Sequence, residues 1–203
     1  MSGRTRGSSR IWGLTGGIAS GKTAVAGFLS ELSIPVVDAD VFSRRLSAPG
    51  GAAHDEILQR FGTSDREKLR EIVFRDSAAR GDLEKILHPH IARESQLELD
   101  RLAQEFLVPV LIYEATLLVE TGRYKTLGGL IVVDSPLDLR KARLISRSGF
   151  SEEMAERILA AQTARLSDEE RRKAATIVIE NSGTLEELRG KVRGIARDHG
   201  WIS

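Results

Sequence analysis

The chain has 203 residues, of which 41% are hydrophobic and 29% charged, with a formal net charge of +1. That length suits one α/β domain with a small insert, and near-neutral charge supplies no global field toward nucleic acid or a membrane surface. With no cysteine present, disulfides, thiolate metal sites and cysteine catalysis are excluded, and no apolar run approaches the roughly 18–20 residues that span a bilayer.

Residues 1–9 are Gly-, Ser- and Arg-rich and lack an apolar core segment. They are expected to form a disordered tail, not a signal peptide, which makes a cytoplasmic location the expectation. Five apolar segments follow that read as strands: Ile11–Leu14, Pro35–Val37, Val108–Tyr113, Leu130–Val133 and Ile177–Ile179. Val and Ile dominate them and most run without alternation, the pattern of parallel strands covered on both faces. Helical patterns separate the strands, so the class is α/β with crossover connections. Between the second and third strands, helices are predicted at about 40–47, 52–61, 66–75 and 82–105, with Gly81 ahead of the last and Pro89 as a kink or restart. A second helical excursion, at 136–173, carries seven arginines: Arg140, Arg143, Arg147, Arg157, Arg165, Arg171 and Arg172. A packing helix over Leu185–Asp198 closes the chain. The expected organisation is a single domain over 10–203, with core segments 10–39, 106–135 and 174–203, a helical region at 40–105 and an excursion at 136–173.

Residues 16–23 read Gly-Gly-Ile-Ala-Ser-Gly-Lys-Thr, the pattern G-x-x-x-x-G-K-[ST], between the first strand and a helix. Gly16 and Gly21 permit backbone angles that other residues resist. The amides of residues 17–23 (Gly17, Ile18, Ala19, Ser20, Gly21, Lys22 and Thr23) are expected to turn inward and cradle phosphate, assisted by the positive end of the helix that starts near Lys22. Lys22 reaches the β- and γ-phosphates and the Thr23 hydroxyl ligates Mg²⁺. The loop alone does not name a reaction, but no N/T-K-x-D guanine motif and no D-x-x-G switch accompanies it, which argues against a GTPase.

The second strand runs into Val37-Asp38-Ala39-Asp40. Carboxyl ends of parallel strands line the ligand crevice, so Asp38 and Asp40 are expected near the phosphate loop, pointing the same way if the strand continues. One can hold Mg²⁺ through water and the other can take the proton of an attacking hydroxyl. A helix N-cap is the competing reading for Asp38.

These motifs, with Thr15 ahead of the loop and His88-Pro89 in the helical region, resemble the dephospho-coenzyme A kinase family over nearly the whole chain. The matching pieces run in order through Leu14-Thr15-Gly16-Gly17-Ile18, Ser20-Gly21-Lys22, Val37-Asp38-Ala39-Asp40 and Leu87-His88-Pro89-His90-Ile91. They continue through Leu117-Leu118, Arg143-x-x-x-Arg147, Ile158-x-x-x-Gln162 and Ile179-Glu180-Asn181-Ser182-Gly183. The resemblance implies a P-loop kinase fold: a five-stranded parallel sheet flanked by helices, a helical substrate-binding insert at 40–105 and an arginine-bearing lid at 136–173. It implies phosphorylation of the ribose 3′-hydroxyl of dephospho-coenzyme A by ATP·Mg²⁺, giving coenzyme A and ADP, with no nucleic-acid or membrane partner and a monomer favoured. Related readings left beside it are a kinase acting on another nucleoside or nucleotide, and a nucleotide-binding module without catalysis.

By the same resemblance, Asp40 is the general base and Lys22 and Arg143 act on the transferred phosphoryl group. Gly17–Ala24 with Arg143 and Arg147 bind ATP. Thr15, Asp38, Asp40, Arg44, His88 and Leu117 meet the acceptor, and Thr23 and Asp38 serve the metal. Competing readings make Arg44 a solvated surface residue, His88 a packing residue, and Arg171 and Arg172 a solvated helix face. The chain also departs from the family's usual pattern. Ala24 replaces a hydroxyl residue, Thr116 a proline, Arg140 a glutamine and Thr176 an aspartate.

Overall fold

In a computed structural model that describes residues 10–203, all five predicted strands form, as β1 (Ile11–Gly16), β2 (Val36–Asp38), β3 (Leu111–Glu114), β4 (Gly129–Asp134) and β5 (Ile177–Glu180). The tail predicted at 1–9 lies outside the described residues. The strands make one parallel sheet in the order β2-β3-β1-β4-β5, with β1 at its centre, pairing Leu14 with Glu114 on one side and with Ile131 on the other. The chain divides into two compact units, one running up to Val37 and resuming at Leu102–Ser203, the other spanning Asp38–Arg101.

In the first unit, helices α1 (Lys22–Glu31) and α9 (Leu185–Asp198) pack on the sheet. Their apolar residues, among them Val25, Leu29, Leu188 and Val192, bury against Leu14, Ile112, Ile131 and Val133. A buried aliphatic side chain of this kind contributes about 1.5–3 kcal/mol. Thr184 starts α9 with a reciprocal capping box to Glu187, which satisfies two otherwise orphaned backbone donors. Trp12 is partly buried and packs edge-on against Trp201 at 5.1 Å.

The arginine-rich excursion forms α6 (Leu137–Ser148), α7 (Glu152–Arg165) and α8 (Asp168–Ala174). Lys141 on α6 reaches Glu152 and Glu156 on α7, both at 2.6 Å. Those two carboxylates hold the Lys141 ammonium charged well above the ordinary lysine range. Arg171 corrects the sequence reading of a solvated face. It is only 2% exposed and pairs with Asp168 at 2.9 Å and with Glu120 at 3.2 Å. Its periodic neighbours are charged, so the surrounding pattern hides the fact that one position of α8 turns inward. Arg172, one residue on, is exposed and pairs with Asp134 and Glu180.

The second unit holds α2 (Ala39–Ser47), α3 (His54–Phe61), α4 (Arg66–Arg75) and most of α5 (Ser77–Glu105). Gly62 ends α3 in the left-handed region at φ 69°, and Asp65 caps α4 by accepting from the Lys68 amide. Here α5 starts earlier than the sequence suggests and passes through Gly81 and Pro89 without a break. Asp76, accepting from the Ala78 amide at 2.8 Å, supplies the start signal that the Gly81 reading overlooked. Arg60 bonds Asp82 through two nitrogens, at 2.6 and 2.9 Å, tying α3 to α5 and, with Lys85, holding the Asp82 carboxyl below the usual carboxylate range.

Arg171→Met leaves the buried Glu120 facing a lost cation, and removing one partner of a buried pair costs about 3–5 kcal/mol. The urea midpoint is expected to fall accordingly. Because Arg171 Nε and Glu120 Oε2 lack hydrogen-bond partners among the described residues, the double variant Arg171→Met/Glu120→Leu is expected to recover most of the loss.

Candidate active site

The loop between β1 and α1 begins where Gly16 leaves the sheet. A Cβ on Gly16 would collide with the Val133 carbonyl oxygen, so close approach, and not a positive φ, requires glycine there. Gly21 is the residue that needs conformational freedom. Its φ is 99°, and a Cβ would also strike the Asn181 side-chain amide. Ala19 adopts φ 59° without being glycine, a left-handed conformation that costs an L-residue roughly 1–2 kcal/mol.

The cradle differs in detail from the expectation that all its amides face inward. Ile18 N–H donates to Gln162 Oε1 at 2.7 Å, Ser20 N–H to the Gly17 carbonyl at 3.1 Å and Ala24 N–H to the Gly21 carbonyl at 3.0 Å. Those donors are committed to the protein. The amides of Ala19, Gly21, Lys22 and Thr23 have no protein acceptor among the described residues, and the last three sit at the start of α1. They form the anion-facing set, because helix N-termini carry orphan N–H groups and partial positive charge. Ala24 packs its methyl against the core, which gives that departure a packing role.

Lys22 Nζ sits 2.9 Å from Glu114 Oε1, with both side chains largely buried. Glu114 ends β3 and is 5% exposed, and the sequence reading passed over it. The available signal was an acid immediately after an apolar strand next to β1. Asn181 was quoted only as part of a motif, yet it too is buried, and its Nδ2 donates to the Ser20 carbonyl at 2.7 Å. Ser135 Oγ donates in turn to the Asn181 carbonyl at 2.8 Å.

Arg143, on α6, is half-buried against the loop. It donates to the Ala19 carbonyl at 3.3 Å, to Ser135 Oγ at 3.0 Å and to the Asn181 carbonyl at 3.3 Å. Arg147, one turn further on, is exposed with no partner among the described residues. Thr15 is fully buried and its hydroxyl donates to the Thr116 carbonyl at 3.1 Å. It supports the strand end and presents no surface to a ligand, which corrects the acceptor-contact expectation. Leu117 lies in the turn after β3, half-buried.

In the second unit, Asp38 Oδ1 accepts from the Asp40 amide at 2.8 Å and caps α2. The strand ends at Asp38, so the argument from strand alternation fails, and Asp40 instead occupies the first turn of α2 with an exposed side chain. Arg44 follows one turn later, on the same helical face. A cleft of about 420 Å³ opens between Asp40, Arg44, Arg66 and Arg70 on its polar side and Leu69 and Leu87 on its apolar side. His88 is half-buried on α5 and is absent from the cleft lining.

A glycine-rich loop with a buried lysine at the head of α1, on a sheet of order 2-3-1-4-5, defines a P-loop kinase. The family model described as Dephospho-CoA kinase matches residues 10–187. A Dephospho-CoA kinase of Thiobacillus denitrificans is 44% identical over 189 residues, covering 89% of this chain and 90% of the relative. Among solved structures, TT1252 from Thermus thermophilus matches with TM-score 0.75 at 34% identity, covering 93% of this chain and 96% of that one. The Dephospho-CoA kinase from Campylobacter jejuni matches with TM-score 0.61 at 24% identity, covering 94% and 97%, a likeness of fold. The chain belongs to the dephospho-CoA kinase family, and it is an ATP-dependent kinase.

Gly21→Ala forces a strained φ and displaces Asn181. ATP affinity measured by calorimetry is expected to drop about tenfold or more, the equivalent of the roughly 1–3 kcal/mol of left-handed strain.

Proposed function

We propose that the protein transfers the γ-phosphoryl group of ATP to the ribose 3′-hydroxyl of dephospho-coenzyme A, releasing coenzyme A and ADP. The observation that carries this reading is the family match across residues 10–187, which takes in both the phosphate loop and the Asp38-Ala39-Asp40 segment. The donor phosphates rest on the free amides at the head of α1, and Lys22 exchanges Glu114 for a phosphate oxygen. Arg143 supplies a fixed positive charge beside the loop. Phosphoryl transfer spreads negative charge over the equatorial oxygens, so positioned cations and amides do most of the catalytic work.

The acceptor fits the cleft on chemical grounds. Dephospho-coenzyme A combines a diphosphate with a long pantetheine arm, and the cleft sets Arg44 and Arg66 beside Leu69 and Leu87. Asp40, exposed at its edge, is the proposed base for the ribose hydroxyl. In-line transfer requires that hydroxyl to reach the γ-phosphorus with water excluded.

The residues present suit Mg²⁺ delivered with the nucleotide. The Thr23 hydroxyl is exposed and has no hydrogen-bond partner among the described residues. No cluster of three His, Asp or Glu that could hold a metal exists among those residues. Mg²⁺ keeps several waters and binds through one or two protein oxygens plus substrate phosphates. Thr23 would hold it directly and Asp38, through its second carboxylate oxygen, by way of water. The ion, when bound, neutralises charge on the β- and γ-phosphates. Among the described residues no helix is long and apolar enough to cross a membrane; a cytoplasmic location is proposed from the water-soluble nucleotide reactants alone.

Purified protein with ATP, Mg²⁺ and dephospho-coenzyme A is expected to form ADP and a 3′-phosphorylated product, identified by phosphorus NMR. No ADP above the acceptor-free control would overturn the reading. Asp40→Asn is expected to lower kcat by about 10²–10⁴-fold, the range for a general base, with ATP binding retained. Normal turnover in that variant would remove the role from Asp40.

A further inference from the structure

Arg140 is 1% exposed. Its guanidinium donates from Nε to the Ile18 carbonyl at 2.9 Å, from Nη2 to Gln162 Oε1 at 2.7 Å and from Nη1 to Asp168 Oδ2 at 2.8 Å. Gln162 Oε1 also accepts from Ile18 N–H at 2.7 Å. Both backbone polar groups of Ile18 are therefore held by one side-chain pair, which closes a ring around a single residue of the phosphate loop. The guanidinium fills the space under Gly17, where a Cβ would lie 2.5 Å from Nη2. The next residue is Ala19, with its left-handed φ, and its methyl packs on the apolar cluster of Leu144, Ala155 and Leu159 from α6 and α7.

We infer that the Arg140–Gln162 pair is a brace that presets the phosphate loop for ATP, making Arg140 a positioning residue for the donor nucleotide although it contacts no phosphate-facing amide. The inference rests on the donor-site reading above. A strained backbone persists only where its surroundings over-determine it. With Ile18 fixed on one side and the Ala19 methyl packed on the other, the loop is already ordered before nucleotide arrives. Binding then avoids the cost of ordering it.

The effect is geometric and not electrostatic. Arg140 is neutralised by Asp168, whose other oxygen takes Arg171, which in turn pairs with Glu120. The chain of charges alternates and sums to zero, so Arg140 adds no net field at the phosphates. Arg140 stands on α6, Gln162 on α7 and Asp168 at the start of α8, so two helices meet the loop residue and the third holds Arg140 in place.

The test combines calorimetric binding of ATP and ADP with initial rates of ADP formation. Arg140→Met keeps the apolar stem and deletes every donor. ATP and ADP affinities and KM for ATP are expected to weaken by about 10- to 100-fold, as for one or two hydrogen bonds at a positioned site. KM for dephospho-coenzyme A should stay within about threefold of wild type, a split that a role in stability alone would not produce. Gln162→Leu should reproduce the loss, whereas Gln162→Glu, which keeps an acceptor for both Ile18 N–H and Arg140, should retain binding. Gly17→Ala pushes into the same guanidinium, so its loss should not add to that of Arg140→Met. Wild-type ATP affinity in folded Arg140→Met and Gln162→Leu, or full additivity of Gly17→Ala with Arg140→Met, would overturn the brace. Should Arg140→Met fail to fold by circular dichroism, the two Gln162 variants decide the matter. A wild-type protein that binds no ATP would overturn the donor-site reading instead.

Discussion

Everything in this site depends on a phosphate loop held open while no phosphate is present. Backbone amides that converge on an anion repel one another, and Ala19 sits in a left-handed region of φ that other conformations undercut. The loop cannot be stabilised from its ligand face, because that face must stay free. It is held from behind, by Asn181 on the Ser20 carbonyl, Arg143 on the Ala19 carbonyl and Gln162 with Arg140 on Ile18. Each of these side chains comes from an element far along the chain, so the loop is local in sequence and its support is not.

Burying that much charge brings a second constraint. Arg140 and Arg171 are both nearly inaccessible, and an isolated buried cation would cost several kcal/mol. The alternation Arg140–Asp168–Arg171–Glu120 answers this by giving each buried guanidinium a carboxylate. Lys22 and Glu114 repeat the arrangement on the ligand side, with one difference. The rear network is closed on itself, whereas on the proposed reading Lys22 would trade Glu114 for a phosphate oxygen. One pattern of ion pairing thus yields a fixed scaffold on one side of the loop and an exchangeable contact on the other.

Much of the fold is written in local pattern. The five apolar runs became the five strands, and Leu185–Asp198 became α9 to the residue, because capping and periodicity agree there. The failures have a common cause. The inward turn of Arg171, the burial of Thr15 and the commitment of the Ile18 amide to Gln162 are all set by residues many positions away. Asp38 shows the opposite case: its cap on α2 is local, and the N-cap reading of the sequence anticipated it. Glu114 and Asn181 were legible as residues at strand ends but not as partners, since pairing depends on strand order and a single sequence does not display that order.

Thr116, Thr176 and Arg140 take part in this network in three different ways. Thr116 keeps only its carbonyl in play, as acceptor for Thr15, and a carbonyl survives substitution of its side chain. Thr176 accepts from the Leu130 amide through its hydroxyl and donates its own amide to the Leu130 carbonyl, so it joins the starts of β4 and β5 with a neutral side chain. Arg140 has the widest reach of the three, since an arginine offers donors in three directions. That extra reach is useful only if a carboxylate stands ready to neutralise it, and Asp168 does so while also holding Arg171. The arginine at 140 and the burial of Arg171 are therefore parts of one arrangement, joined through a single aspartate at the start of α8.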